Sequence, residues 1–189
     1  RGVSSTDNLT NDTTPTFTGT AEANSTVSLF HDGGQLVGFT TADGGAYSVT
    51  SSTIASGAHM FFVKATDLAG NESDAAPGLW VTINSTTLHA PTSAPDLVAS
   101  SDTGASNTDN ITGNTALTFD GGGATPGAMV GLYASGSLVG STTAQGDGTY
   151  AMTAEELAQG DYIFTAREID TAGNESADSP ALAVTIDSL

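Results

Sequence analysis

The seven residues Asp67-Leu68-Ala69-Gly70-Asn71-Glu72-Ser73 return as Asp170-Thr171-Ala172-Gly173-Asn174-Glu175-Ser176, differing only at the second place. Each copy follows a strand-like run (60–66 or 163–169) and precedes another (79–83 or 182–186). Other pieces recur at the same offset. Asp7-Asn8-Leu9-Thr10 matches Asp109-Asn110-Ile111-Thr112, Thr16-Phe17-Thr18-Gly19 resembles Thr118-Phe119-Asp120-Gly121, and Leu36-Val37-Gly38 matches Leu138-Val139-Gly140, with Tyr47 against Tyr150. An offset of about a hundred residues is the size of one small sandwich domain. The sequence therefore predicts two domains, 1–88 and 89–189. They are joined through residues 84–95, a stretch with two prolines and little else to pack, hence a short and rather stiff linker.

Within each copy the apolar residues alternate. Val27 and Leu29, Tyr47 and Val49, Phe61, Val63 and Ala65, then Leu79, Val81 and Ile83 fall at spacing two. Val130 and Leu132, Tyr150 and Met152, Phe164 and Ala166, then Leu182, Val184 and Ile186 repeat the pattern. Spacing two is the mark of half-buried strands. Asp32-Gly33-Gly34, Asp43-Gly44-Gly45 and Gly146-Asp147-Gly148 supply turns between them. Only residues 154–159 read as a helical turn. The predicted class is all-β: two tandem antiparallel β-sandwiches. The second copy has an opening strand at 95–100, whereas six residues precede Asp7, so the first strand of the first copy is expected to be incomplete or supplied by a preceding repeat. Arg1 in place of Met suggests a piece cut from something longer.

Charge narrows the function. Three Lys plus Arg stand against 21 Asp plus Glu, leaving a net charge of −18. Such a surface repels phosphate backbones and anionic headgroups, which argues against nucleic acid and membrane partners, and it attracts divalent cations. No stretch reaches the apolar length of a membrane span. With no cysteine there is neither a disulfide nor a thiolate metal site, and calcium is the obvious substitute stiffener.

A loop holding Asp, Gly, Asn and Glu in that order offers carboxylate, amide and backbone oxygens to a hard cation. The same residues are ordinary turn formers, so a plain turn is the competing reading. Chain direction sorts the loops by end if each sandwich runs up and down. Asp170, Asn174 and Glu175 then lie near the entering linker with Asp96, and Glu168 points to the same face as Asp170. The loop after the first strand, with Asp7 in one copy and Asp102 and Asp109 in the other, lies at the exit end near Asn84 or Asp187. Asp7 and Asn84 are thus expected to meet Asp96, Asp170 and Asn174 at the joint. Calcium takes six to eight oxygens, which such a set could supply.

Catalysis finds no foothold. His31, His59 and His89 do not recur in the other copy, and none pairs with an acid at triad or metal spacing. No nucleophile elbow, phosphate loop or zinc helix appears. Lys64 and Arg167 fall at matching outward positions. The chain is expected not to be an enzyme, to take no small-molecule substrate, and to be a monomer.

Ser101-Asp102-Thr103-Gly104 with Thr108-Asp109-Asn110-Ile111-Thr112, Thr14-Pro15-Thr16-Phe17-Thr18-Gly19-Thr20-Ala21-Glu22, and Asp-x-Ala-Gly-Asn-Glu-Ser resemble bacterial immunoglobulin-like repeats. These occur in large type I secreted RTX and biofilm adhesins. The resemblance covers nearly the whole chain, twice. It implies two tandem immunoglobulin-like antiparallel β-sandwiches of about seven strands each on the outside of a bacterial cell, with calcium at or near the joints and neighbouring repeats of the same chain as the partners. The implied metal ligands are Asp7, Glu22, Asp67, Asn71, Asn84, Asp96, Asp102, Asp109, Glu168, Asp170, Asn174 and Asp187. Two departures stand out: Ala124 is aligned with Glu22, and Asn84 stands where the other copy has Asp187. The antibody hallmarks are missing, since there is no Cys pair and Trp80 falls in the last strand, not the third. The expected function is a calcium-rigidified extender segment that projects a distal binding module. The alternative is a module that itself binds carbohydrate, a host surface or ice, for which the alternating Thr14, Thr16, Thr18 and Thr20 are the best feature. Against it, Trp80 reads as an isolated outward aromatic.

Overall fold

A computed structural model describes residues 4–188. Arg1, read above as the mark of a cut, lies outside them. The chain divides into two compact units, the first running to Thr86 and the second starting at Thr87.

Among the described residues, unit one has seven strands: β1 (Leu9–Thr10), β2 (Thr16–Thr20), β3 (Thr26–His31), β4 (Gln35–Thr41), β5 (Ala46–Thr50), β6 (Gly57–Thr66) and β7 (Leu79–Ile83). Unit two has β8 (Asp96–Leu97), β9 (Ile111–Thr112), β10 (Thr118–Gly121), β11 (Met129–Ala134), β12 (Ser137–Thr143), β13 (Tyr150–Thr153), β14 (Gly160–Ile169) and β15 (Leu182–Ile186). Each unit packs a five-stranded sheet, β1-β7-β6-β3-β4 or β12-β11-β14-β15-β9, against a smaller one, β2-β5 or β13-β10-β8. Pairing is antiparallel except at β1–β7 and β9–β15, which are parallel. The chain does not run simply up and down: β3 pairs β6 while β2 and β5 cross to the other sheet.

Alternation drives the packing. Leu29, Val37, Val49, Phe61, Val81 and Ile83 turn inward in unit one, joined by Ile54, and Val27 is buried as well. Val130, Leu132, Val139, Tyr150, Met152, Phe164, Ala166, Val184 and Ile186 do so in unit two. Leu79, at the start of its strand, stays exposed. One aromatic pair spans each core, Phe17 with Phe61 at 4.7 Å and Phe119 with Phe164 at 4.4 Å between ring centroids. The repeated glycine of the Thr-Phe-x-Gly stretch has a packing reason. Gly19 lies beneath the Tyr47 ring, where a Cβ would come within 2.5 Å of the phenol oxygen, and Gly121 lies beneath Tyr150 in the same way.

The cores differ in thickness. In unit two, β8 lies alongside β10 with Leu97 opposite Phe119, and Phe119, Tyr150 and Leu97 are all buried. In unit one no described strand flanks β2 on that side, and Phe17 and Tyr47 remain half-buried.

Residues 154–159 form no helical turn. Their amides donate to backbone carbonyls in or just before strands: Ala154 to Leu117, Glu155 to Val139 and Leu157 to Thr115. Ser51, Ser52 and Ile54 do the same in unit one toward Pro15, Val37 and Thr13. An extended segment that ties both sheets together satisfies more backbone donors than one isolated turn of helix, which is costly to nucleate.

Candidate functional site

The repeated heptad folds into one loop, built twice. Asp67 Oδ1 accepts from the amides of Ala69 (2.9 Å) and Asn71 (2.8 Å), and its Oδ2 accepts from Asn71 Nδ2 at 2.8 Å. Asp170 accepts from the Asn174 amide at 2.9 Å and from Asn174 Nδ2 at 2.8 Å. The Asp67 amide returns a bond to the Asn71 carbonyl, and Asp170 does so to Asn174. Donation by the Asn71 side chain and amide holds the Asp67 carboxyl below the usual carboxylate range. Gly70 and Gly173 take φ of +90° and +86°, a region that other L-residues avoid.

The rest of the heptad anchors the loop to its strand. Glu72 and Glu175 bridge back to Thr66 and Ile169. Glu72 receives Lys64 at 2.6 Å and Glu175 receives Arg167 at 2.8 Å. Arg167 also reaches Asp178 at 2.8 Å and lies 4.3 Å above the Tyr133 ring. Ser73 Oγ accepts from the Ala65 amide, and Ser176 Oγ from the Glu168 amide. The variable second place is a bystander, since Leu68 is 87 % exposed.

The other candidate ligands divide by place. Asp7 and Asp109 each close a turn on the amide two residues on, Leu9 at 3.0 Å and Ile111 at 3.1 Å, around left-handed Asn8 and Asn110. Asn84 Oδ1 caps Thr86. The Asn84 amide meets the Thr10 carbonyl, and Asp7 lies three residues before Thr10, in the turn that leads into β1. Asp187 has the matching place against Thr112. Asp96 stands directly opposite Asp120 across β8 and β10, two like charges that repel.

Glu22, Asp67 and Asn71 line one open cleft of about 480 Å³ in unit one, with Lys64 and Tyr47. The residue matching Glu22 is Thr125, not Ala124: Ser25 bonds the Glu22 carbonyl as Ala128 bonds that of Thr125. One extra glycine in the 121–123 run shifts the alignment. The Thr125 amide donates at 2.5 Å to Glu168, a buried carboxylate that the strand β14 brings to this corner. In unit one Ala65 stands in the place of Glu168.

Asp102 is the candidate whose surroundings best fit a cation. Its side chain is buried, 3 % exposed. Oδ2 accepts from the Asn110 amide at 3.1 Å, while Oδ1 has no hydrogen-bond partner. A buried carboxylate oxygen left unpaired is costly, and an oxygen of this kind has the chemistry to ligate a hard cation. The Thr103 hydroxyl and the Ser101 carbonyl lie in the same loop, both bonded to Thr112 Oγ1.

Two sequence readings are corrected. His31 and His59 do pair with an acid, since both rings meet Asp32, His31 from the adjacent position and His59 across twenty-seven residues of chain, a proximity that no local spacing reveals. Trp80 is not isolated either. It shares the outer face of its sheet with Met60, Phe62, Phe30, Leu36 and Phe39, where Phe30 and Phe62 stack at 5.4 Å and Phe39 is 72 % exposed.

A family model described as "Bacterial Ig-like domain" matches residues 1–85 and again 87–188. Comparison with curated proteins gives no match. Among solved structures, fibronectin(III)-like modules of Clostridium thermocellum CbhA are similar at 15% identity and a TM-score of 0.50, covering 94% of this chain and 87% of that one. A tetra-tandem repeat from the extending region of a large adhesion protein is similar at 24% identity and a TM-score of 0.36, over 95% of this chain and 48% of that one. A Ca2+-stabilized, ice-binding adhesin of an Antarctic bacterium is similar at 20% identity and a TM-score of 0.38, over 92% and 43%. The chain thus spans less than half the length of either adhesin structure.

Proposed function

Because the chain belongs to the bacterial Ig-like domain family, once in each unit, we propose that it is an extender segment of a large bacterial surface adhesin, a stretch of tandem repeats that holds a binding module away from the cell. One observation carries this reading: what the two units share is scaffold. The Asp–Asn loop, the glycine beneath the tyrosine and the extended sheet-to-sheet crossing occur in both. Side chains that could recognise a ligand differ, since on the partly exposed aromatic face Trp80, Met60, Phe62 and Phe39 become Ala183, Ile163, Thr165 and Ser141 in unit two, where only Tyr133 and Leu138 keep the places of Phe30 and Leu36. In repeats of this kind, length comes from copy number, and each unit need only resist unfolding. Neither closed acidic loops nor exposed strand faces offer a catalytic arrangement, and a role as enzyme is not part of the proposal.

We assign calcium as the stiffening ion, with neighbouring repeats as the partners and the bacterial exterior as the setting. Millimolar calcium there is enough to fill even weak extracellular sites. The unpartnered Asp102 Oδ1 supports the assignment, with Asp109 beside it in the same folded loop. The test is a thermal melt with calcium and with chelator, on the wild type and on Asp102→Asn. Calcium at ten to a hundred times Kd should add about 1–3 kcal/mol to the unit that holds it, and the substitution should remove that gain. A gain unchanged in Asp102→Asn would remove this residue from the site.

A second reading rests on the Trp80 face. Binding of a carbohydrate or a host surface there would change Trp80 fluorescence, and Trp80→Ala would abolish the binding. Failure of glycans to perturb the fluorescence would leave the extender reading alone. The outward Thr16, Thr18 and Thr20 of β2 keep the ice alternative in the same test series.

A further inference from the structure

His31 ends β3, Asp32 opens the turn into β4, and His59 lies near the start of β6. The fold fixes all three. Asp32 sits at φ +41°, a conformation that Asp and Asn tolerate, and is clamped to β6 in both directions. Its amide donates to the Met60 carbonyl at 3.0 Å, and its Oδ1 accepts from the Met60 amide at 3.0 Å. The free oxygen, Oδ2, faces two imidazoles: His59 Nδ1 at 2.5 Å and His31 Nδ1 at 3.2 Å. The rings sit edge to face at 5.5 Å, with His31 stacked on Phe61, and their side chains are only 12% and 14% exposed.

Hydrogen bonding assigns the tautomer at His59. Its Nε2 lies 3.0 Å from the Ala55 carbonyl, which can only accept, so Nε2 carries the proton. In the neutral ring Nδ1 is then a bare lone pair aimed at a carboxylate oxygen. Two such donors at this range need a cation between them. A proton meets that need in part, and the hydrogen bond with Asp32 holds His59 above the ordinary histidine range. A metal meets it with all three groups at once.

We propose that His31 Nδ1, His59 Nδ1 and Asp32 Oδ2 form a binding site for a transition-metal dication of the zinc type, separate from any calcium site. The three ligand atoms lie within 4.8 Å of one another. Tetrahedral coordination with bonds of ~2.0–2.1 Å sets ligands about 3.3 Å apart, so the His31–Asp32 separation already fits, the His59–Asp32 separation has to open by less than ~1 Å, and the two imidazole nitrogens settle to the same spacing by small ring movements. The outer partners also suit a metal: Nε2–H on a backbone carbonyl orients the imidazole, and the Met60 amide orients the carboxylate. Asp32 is 41% exposed, which leaves the fourth position to water. Imidazole selects zinc, nickel or copper over calcium, which takes oxygen ligands.

Unit two is the built-in control. Ser135 replaces Asp32, Ala134 replaces His31 and Tyr162 replaces His59. The supporting bonds survive the exchange: Ser135 accepts from Ile163 at 3.3 Å, its amide donates to the Ile163 carbonyl, and Tyr162 Oη donates to Ala158 at 3.0 Å. Scaffold is retained there and the ligands are gone, so uptake should be one ion per chain.

The test is titration of the full chain with zinc chloride in a non-chelating buffer at about pH 7.5, with millimolar calcium present to occupy carboxylate sites. Calorimetry should give one equivalent, and proton NMR should shift the ring signals of His31 and His59 while the exposed His89 stays put. His31→Ala and Asp32→Asn should each weaken binding by about 10-fold or more, with Asn preserving the turn. His59→Gln tests the third ligand, and circular dichroism checks each fold. No zinc uptake, a shift shared equally by His89, or full affinity in both His31→Ala and Asp32→Asn would overturn the proposal.

Discussion

Each residue of the repeated heptad has a task that can be stated. Asp and Asn close the loop, Gly takes the left-handed turn, Glu holds a cation on the outer face of the sheet, and Ser caps a strand amide. Gly173→Ala should therefore cost unit two about 1–2 kcal/mol in a denaturant melt, since a Cβ is disfavoured at φ +86°. An unchanged midpoint would mean that the loop relaxes freely. The heptad itself was legible in the sequence because it repeats. Its chemistry was only half legible, since the same atoms suit a turn and a calcium loop, and hydrogen bonds internal to the loop engage the carboxylate. The Asp32 site was invisible for a different reason, because strand pairing of β3 with β6 makes neighbours of residues far apart in sequence.

The Arg167 clamp gives the acid limb of stability a definite sign. Arg167 and Thr165 bond the Asp178 carboxyl and hold it below the usual carboxylate range. A group depressed on folding stabilises the fold above its unfolded value, about 3.9, and loses that contribution as the pH falls through the folded value. Asp178→Asn should lower stability at neutral pH by roughly 0.2–1 kcal/mol, the range for an exposed pair. The difference from wild type should fade as the pH falls below the unfolded value and through the folded one. Equal acid unfolding profiles would show that the clamp contributes nothing.

Among elements, the short β8 has the largest expected effect for its length. Leu97 covers Phe119 and closes a core that stays more open in unit one. Leu97→Ala should destabilise unit two by about 2–4 kcal/mol and lower one transition of a two-unit melt while leaving the other in place. Period-two alternation made the strands readable, because inward and outward residues must alternate on a half-buried sheet. It could not place 154–159, where Ala-Glu-Glu-Leu favours helix locally but the backbone donors are claimed by both sheets. Nor could it order the strands, since which edges pair depends on the crossing between sheets.

For the whole molecule, a net charge of −18 on two small sandwiches is a repulsive load that bound cations relieve. Calcium is proposed to carry that role and to turn a string of repeats into a semi-rigid rod. Small interfaces between domains otherwise permit relative motion. The most direct test is small-angle scattering of the two-unit chain in millimolar calcium and then in excess chelator. A longer and more sharply defined maximum dimension with calcium, lost on chelation and regained on refilling, is the expected result. Superimposable curves in the two conditions would contradict it and leave the acidic loops as turns.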